Sequence, residues 1–175
     1  MKTKINPFDY AGHICKAMAK GILLTTKAGE KVNTMTIGWG HIGIEWGKPI
    51  FVAYVRESRH TKTMLDENGE FTVNIPVGEY DPKILGYCGT KSGRDTDKVV
   101  DMNLTLVEGE SIAVPGIKEF PLTLECKVIF KQYQQEDTLP ETLYKRYYPA
   151  TAANPEGDYH TAYYGEIVNA YIITD

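Results

Sequence analysis

The sequence lacks the marks of several large functional classes. No apolar run approaches the roughly 18 residues that a membrane-spanning helix needs. The opening residues, MKTKINPFDY, hold no apolar core segment, so no signal peptide is expected. Basic charge is not in excess: 19 Lys and Arg against 23 Asp and Glu give a net charge of −4. That balance argues against nucleic acid as a partner. Cysteine is scarce. Cys15, Cys88 and Cys126 are far apart and odd in number, which suits neither a disulfide framework nor a metal site. A reducing cytoplasm is the expected compartment. The hydrolase signatures G-x-S-x-G and H-E-x-x-H are missing, and so is the G-x-G-x-x-G of a Rossmann dinucleotide site. There is no repeat, low-complexity tract or linker, and 175 residues make one domain, 1–175.

Tyrosine is abundant, with 12 copies against five Phe and two Trp. Its stacking face and polar tip suit half-wet cavities and interfaces, but also ordinary β-structure. Strand patterns dominate the chain. GILLTTK (21–27) is β-branched and ends at Ala28-Gly29. Residues 33–46 alternate, and a parity switch near Gly40 predicts a bulge. IFVAYVR (50–56) reads as a strand buried on both faces. HTKTMLDE (60–67) reads as a short helix capped by Ser58 or Thr61, and EFTVNIP (70–76) as a strand. Asp81-Pro82 opens another short helix. Residues 91–98 form a polar loop, and 104–134 hold two or three strands broken at Pro115-Gly116. A short helix at 140–148, a loop and a last strand complete the chain. Short helices that do not alternate with strands exclude a doubly wound sheet. The expected fold is mainly β, a closed or partly closed antiparallel barrel.

Four polar clusters interrupt this scaffold. Asn33-Thr34-Met35-Thr36 offers amide, hydroxyl and backbone groups beside Trp39, and equally suits a turn before an exposed strand. Arg56-Glu57-Ser58-Arg59-His60-Thr61 joins cations and hydroxyls to a helix start, which suits a phosphate as well as it suits a solvated loop. Residues 88–98 mix small residues with cations, although no P-loop is present. Gly157-Asp158-Tyr159-His160 precedes the last strand. Cys88 is either a redox thiol or a small buried hydrophobe. The ligand class that these clusters favour is an anion joined to a flat ring.

In their order, NTMTIGWG, KPIFVAYVRESRHT, EFTVNIP, CGTKSGRDTDK and GDYHTAYYGEI resemble the flavin reductase-like family, its flavoredoxin branch in particular, from about residue 18 to the end. The resemblance implies an FMN-binding split β-barrel that forms a homodimer with FMN at or near the interface. It implies that Asn33, Met35, Thr36 and Trp39, with Thr34 beside them, line the flavin ring and ribityl chain. Arg56, Ser58, His60 and Thr61 would lie at the phosphate end, with Val55 leading into them. Ser92 and Lys98 resemble positions that complete those contacts, with Cys88 and Gly89 at the start of the same loop. His160 matches a histidine set beside the flavin or nicotinamide and is the candidate catalytic residue. The family's reductases commonly read Gly-Asp-His here, whereas Tyr159 stands between Asp158 and His160. The activity implied is reduction of flavin by NADH or NADPH. The alternatives are an FMN electron carrier that serves a redox protein without oxidising NAD(P)H, and a non-catalytic FMN or haem-related binding module.

Overall fold

The computed structural model describes residues 1–174, the side chain of Glu136 apart. Among the described residues ten strands form: β1 (Lys2–Lys4), β2 (Ile22–Ala28), β3 (Lys31–Ile37), β4 (Gly40–Glu45), β5 (Lys48–Arg56), β6 (Glu70–Ile75), β7 (Leu106–Val107), β8 (Gly116–Ile117), β9 (Leu122–Tyr133) and β10 (His160–Ile173). Five helices accompany them: α1 (Ala11–Met18), α2 (His60–Glu67), α3 (Pro82–Thr90), α4 (Lys98–Asp101) and α5 (Glu141–Tyr147). The main sheet runs β3-β2-β6-β9-β10-β5-β4, with β1 added to β10, and its pairings are antiparallel. This is the mainly β, antiparallel architecture expected from the strand patterns, in the split-barrel form that the resemblance implies.

The split follows from the order. The two ends of the ladder, β3 and β4, are neighbours in sequence, joined only by Gly38-Trp39. The parity switch near Gly40 is therefore not a bulge within one strand. It is the point where the chain leaves one barrel edge and begins the other. Inward-facing Met35, Ile37, Phe51, Val73, Leu124, Cys126 and Tyr163 fill the interior. The long strand β10 bends by register shifts at Tyr164/Gly165 and Ile167/Asn169. Gly165 permits the close packing there, since a Cβ would lie 2.5 Å from the Phe71 ring.

Helices fill the crossings between strands. α3 starts as the sequence predicts, with Asp81 accepting from the Lys83 N–H at 2.9 Å. α2 spans the predicted residues, but neither Ser58 nor Thr61 caps it. Arg59 holds the cap position and makes no side-chain cap bond. The Ser58 hydroxyl donates instead to Asp158 at 2.7 Å, and Thr61 Oγ1 accepts from Asn33 Nδ2 at 2.9 Å. The start of α2 is thus left without a capping side chain, beside the mouth of the barrel.

Candidate functional site

A groove runs beside the split, between the ends of β3 and β5, in three adjoining depressions. The inner one is a cradle of about 140 Å³ between the start of α2 and the loop before α4. Arg59, Lys91, Arg94 and Lys98 line it, with Ser58, Thr61, Thr90 and Ser92. Among the described residues that line it, none is acidic. Lys98 is buried, and its Nζ donates to the carbonyls of Thr34 at 3.0 Å and Cys88 at 3.1 Å. Burial pushes the Lys98 ammonium down to about 8, Arg59 adding to the effect. His60 Nε2 is buried with no hydrogen-bond partner among the described residues. Burial and then the charges of Lys31, Arg94 and Lys98 lower the His60 pKa, so the ring is held neutral among cations. Gly93 closes the cradle. A Cβ there would stand 2.1 Å from Asn33 Oδ1 and 2.9 Å from His60 Cδ2. An orphaned imidazole nitrogen, buried positive charge and an uncapped helix start form a place that an anion completes.

The middle depression, about 370 Å³, is lined by the rings of Trp39, Tyr54 and His160 together with Arg56, Arg59 and Asp158. Trp39 and His160 stand 5.0 Å apart, and Trp39 meets Tyr147 edge-on at 5.2 Å. His160 is 7% exposed, and its Nδ1 lies 2.9 Å from the Tyr148 hydroxyl. Burial and then Arg56 push its pKa down to about 4, so the imidazole is neutral at pH 7. Tyr54 and Arg56 reach the groove because they share one face of β5. The outer depression, about 460 Å³, continues past Gly38 and Trp39 to α1.

Of the residues expected at the site, Met35, Thr36, Trp39, Arg56, Ser58, His60, Thr61, Ser92, Lys98 and His160 line the groove. Others stand behind its wall. Val55 has the opposite parity to Tyr54 and Arg56 and packs in the core. Thr34 is buried against Thr25, its side chain 3.0 Å away, while its carbonyl holds Lys98. Asn33 positions Thr61 rather than facing the cavity. Cys88 packs with Ile84 and Leu85, its thiol pushed up to about 11 by burial. The neighbouring Gly89 gives its carbonyl to Arg59 at 2.8 Å. Arg56 lines the middle depression rather than the cradle. Its guanidinium donates to the carbonyls of Asp158 at 2.8 Å and Tyr147 at 3.0 Å, tying the end of α5 to the residues just before β10. Tyr159, the residue between Asp158 and His160, stacks on Tyr148 at 5.0 Å.

Sequence reasoning missed Arg59, Gly93 and Arg94, although all three stand inside clusters it had marked. Tyr54 carried a weak signal, lying two residues before Arg56 on the same strand face. Tyr147 and Tyr148 carried none.

The profile of the flavin reductase-like domain matches residues 16–175. The chain belongs to the flavin reductase-like family. Two flavoredoxins share its fold. That of Desulfovibrio vulgaris (Miyazaki F) is 25% identical, with a TM-score of 0.66, covering 87% of this chain and 69% of that one. That of Methanosarcina acetivorans is 28% identical, with a TM-score of 0.63, covering 87% and 68%. An uncharacterized protein of Archaeoglobus fulgidus is 34% identical over 110 residues, 63% of this chain. The match spans 61% of that protein's own length. Within this flavin reductase-like chain, the groove collects most of the polar clusters that carried the resemblance.

Proposed function

We propose that the chain binds FMN along the groove and that NADH or NADPH reduces the flavin there. The observation that carries the reading is the pairing of an acid-free cationic cradle, with its unpartnered His60 nitrogen, to a ring-lined cavity. A phosphate fits the first, and a flat tricyclic ring fits the second. Flavoredoxins among the similar structures support the same ligand class.

In this reading Lys98, Arg59, Arg94, Ser58, Ser92, His60 and Thr61 hold the phosphate. Charge-assisted bonds from a desolvated ammonium and guanidinium are the strong ones, and His60 presents the remaining nitrogen. Met35, Thr36 and Trp39 lie along the ring and ribityl chain. The bound flavin supplies the two-electron chemistry. The neutral His160 imidazole, fixed by Tyr148, offers a hydrogen bond at the ring rather than a positive charge. Free thiols at all three cysteines suit a reducing cytoplasm.

We also propose a homodimer. Ile44, Trp46, Phe130 and Tyr133 are exposed, and Trp46 meets Phe130 and Tyr164 in one aromatic patch.

Anaerobic addition of NADH or NADPH to the purified, FMN-loaded protein tests the reading. Bleaching of the flavin band is expected. A flavin that binds but does not bleach with either nucleotide assigns the chain to electron carriers. Failure to take up FMN sinks both.

A further inference from the structure

We propose that the outer depression is a subsite for an uncharged, flat aromatic electron acceptor of the quinone class. The depression shares Gly38, Trp39 and Tyr54 with the ring-lined cavity, so a ligand there adjoins whatever ring the cavity holds. Its character differs from the rest of the groove. The cradle is lined by Arg59, Lys91, Arg94 and Lys98, whereas the outer depression is lined by no Lys, Arg, Asp or Glu among the described residues. A ligand with phosphates finds no counter-charge in it, and a neutral ring loses nothing by that.

The remaining lining suits such a ring. Trp39 is 42% exposed and offers an aromatic face. Met18 and Ala19 supply apolar surface. The polar groups are few: His41 and Tyr54, their rings perpendicular at 5.4 Å, and the amide of Gln134. Burial and the neighbouring Tyr164 and Tyr148 raise the Tyr54 pKa, so its hydroxyl keeps its proton. That hydroxyl lies 3.4 Å from His41 Nδ1, a long contact that a ligand acceptor can replace. A quinone carbonyl accepts that kind of bond.

Binding of the ring stands on this lining alone. Its reduction rests on the flavin reading above. A quinone becomes a hydroquinone by gaining two electrons and two protons. A flavin bound beside the depression would supply both electrons and one proton, and water the second proton.

The test is calorimetric titration of the protein with 2-methyl-1,4-naphthoquinone, with and without saturating FMN. Saturable binding is expected in both states. Ala19→Trp adds an indole at the exposed end of α1 and should weaken quinone binding at least tenfold while FMN affinity holds. Cys15→Phe closes the same depression from an exposed position and should act alike. Quinone affinity unchanged in both variants, or no saturable binding to the native chain, overturns the proposal. So does competition by NADH at equal strength, which would give the depression to the nicotinamide. Quinone binding retained in a chain that takes up no FMN defeats the flavin reading and leaves the subsite standing.

Discussion

The two ends of the groove are built by opposite means. The cradle draws on short, contiguous pieces of chain, the start of α2 and residues 90–98, and it concentrates positive charge with no acidic residue among the described residues that line it. The ring end draws on Trp39, Tyr54, Tyr147, Tyr148 and His160, which meet only in the folded chain, and it keeps the His160 imidazole neutral beside Arg56 and Asp158. Strong local electrostatics at one end and long-range ring packing at the other divide the work. One end holds a ligand by its charge, and the other sets the environment of its ring. Each contrast can be broken separately.

The largest expected effect concerns stability at the ring end. His160 sits near 4 in the folded chain against 6.5 for a free histidine. The unfolded chain therefore binds more protons between those values, and stability falls as pH drops through them. The loss is up to about 3 kcal/mol by pH 4. Denaturant melts at pH 7 and pH 4 should show it, and His160→Gln should remove most of it. An equal acid loss in that variant would mean that burial at the ring end is not what excludes the proton.

At the cradle, Gly93→Ala places a Cβ against Asn33 Oδ1 and the His60 ring. FMN affinity should fall on the order of 100-fold, since overpacking there costs about 1–3 kcal/mol and disturbs the Asn33–Thr61 bond. Lys98→Met keeps the volume and removes the ammonium. It should weaken FMN by roughly 10- to 100-fold and leave riboflavin affinity unchanged, the scale of one charge-assisted hydrogen bond. In the native chain, FMN affinity should also decline as pH rises through about 8, where the free Lys98 loses its charge. Riboflavin affinity should stay flat over the same range. Parallel pH curves for the two flavins would remove Lys98 from the phosphate.

The same contrast explains how much of the molecule was legible in its sequence. α2 was readable to the residue because HTKTMLDE is bounded by Asn68-Gly69, and β5 in its apolar run and its end at Arg56, though the strand begins at Lys48, ahead of Pro49. The cradle was readable because cations, hydroxyls and glycine stand together in two short stretches. The break at Gly38-Trp39 was misread as a bulge, since parity alone does not tell a kink from a change of sheet edge. Arg56 was misplaced for a related reason. A strand residue faces one side of its sheet, but which distant segment crosses that side is a matter of topology. Tyr148 was invisible because its partner His160 lies 12 positions away, across an irregular crossing.

Arg56 gives the smallest and most discriminating prediction. Its guanidinium ties the carbonyls of Tyr147 and Asp158, so it fixes the crossing that carries Tyr147 and Tyr148 to the ring cavity. Arg56→Gln should loosen residues 147–158 and weaken FMN and riboflavin by the same factor, about tenfold, the scale of one to two lost hydrogen bonds. Hydrogen exchange should rise in that segment and not in α2. A variant that weakens FMN alone would return Arg56 to the phosphate end. Equal weakening of both flavins separates a positioning arginine in the ring wall from the cations of the cradle, whose loss only the phosphate feels.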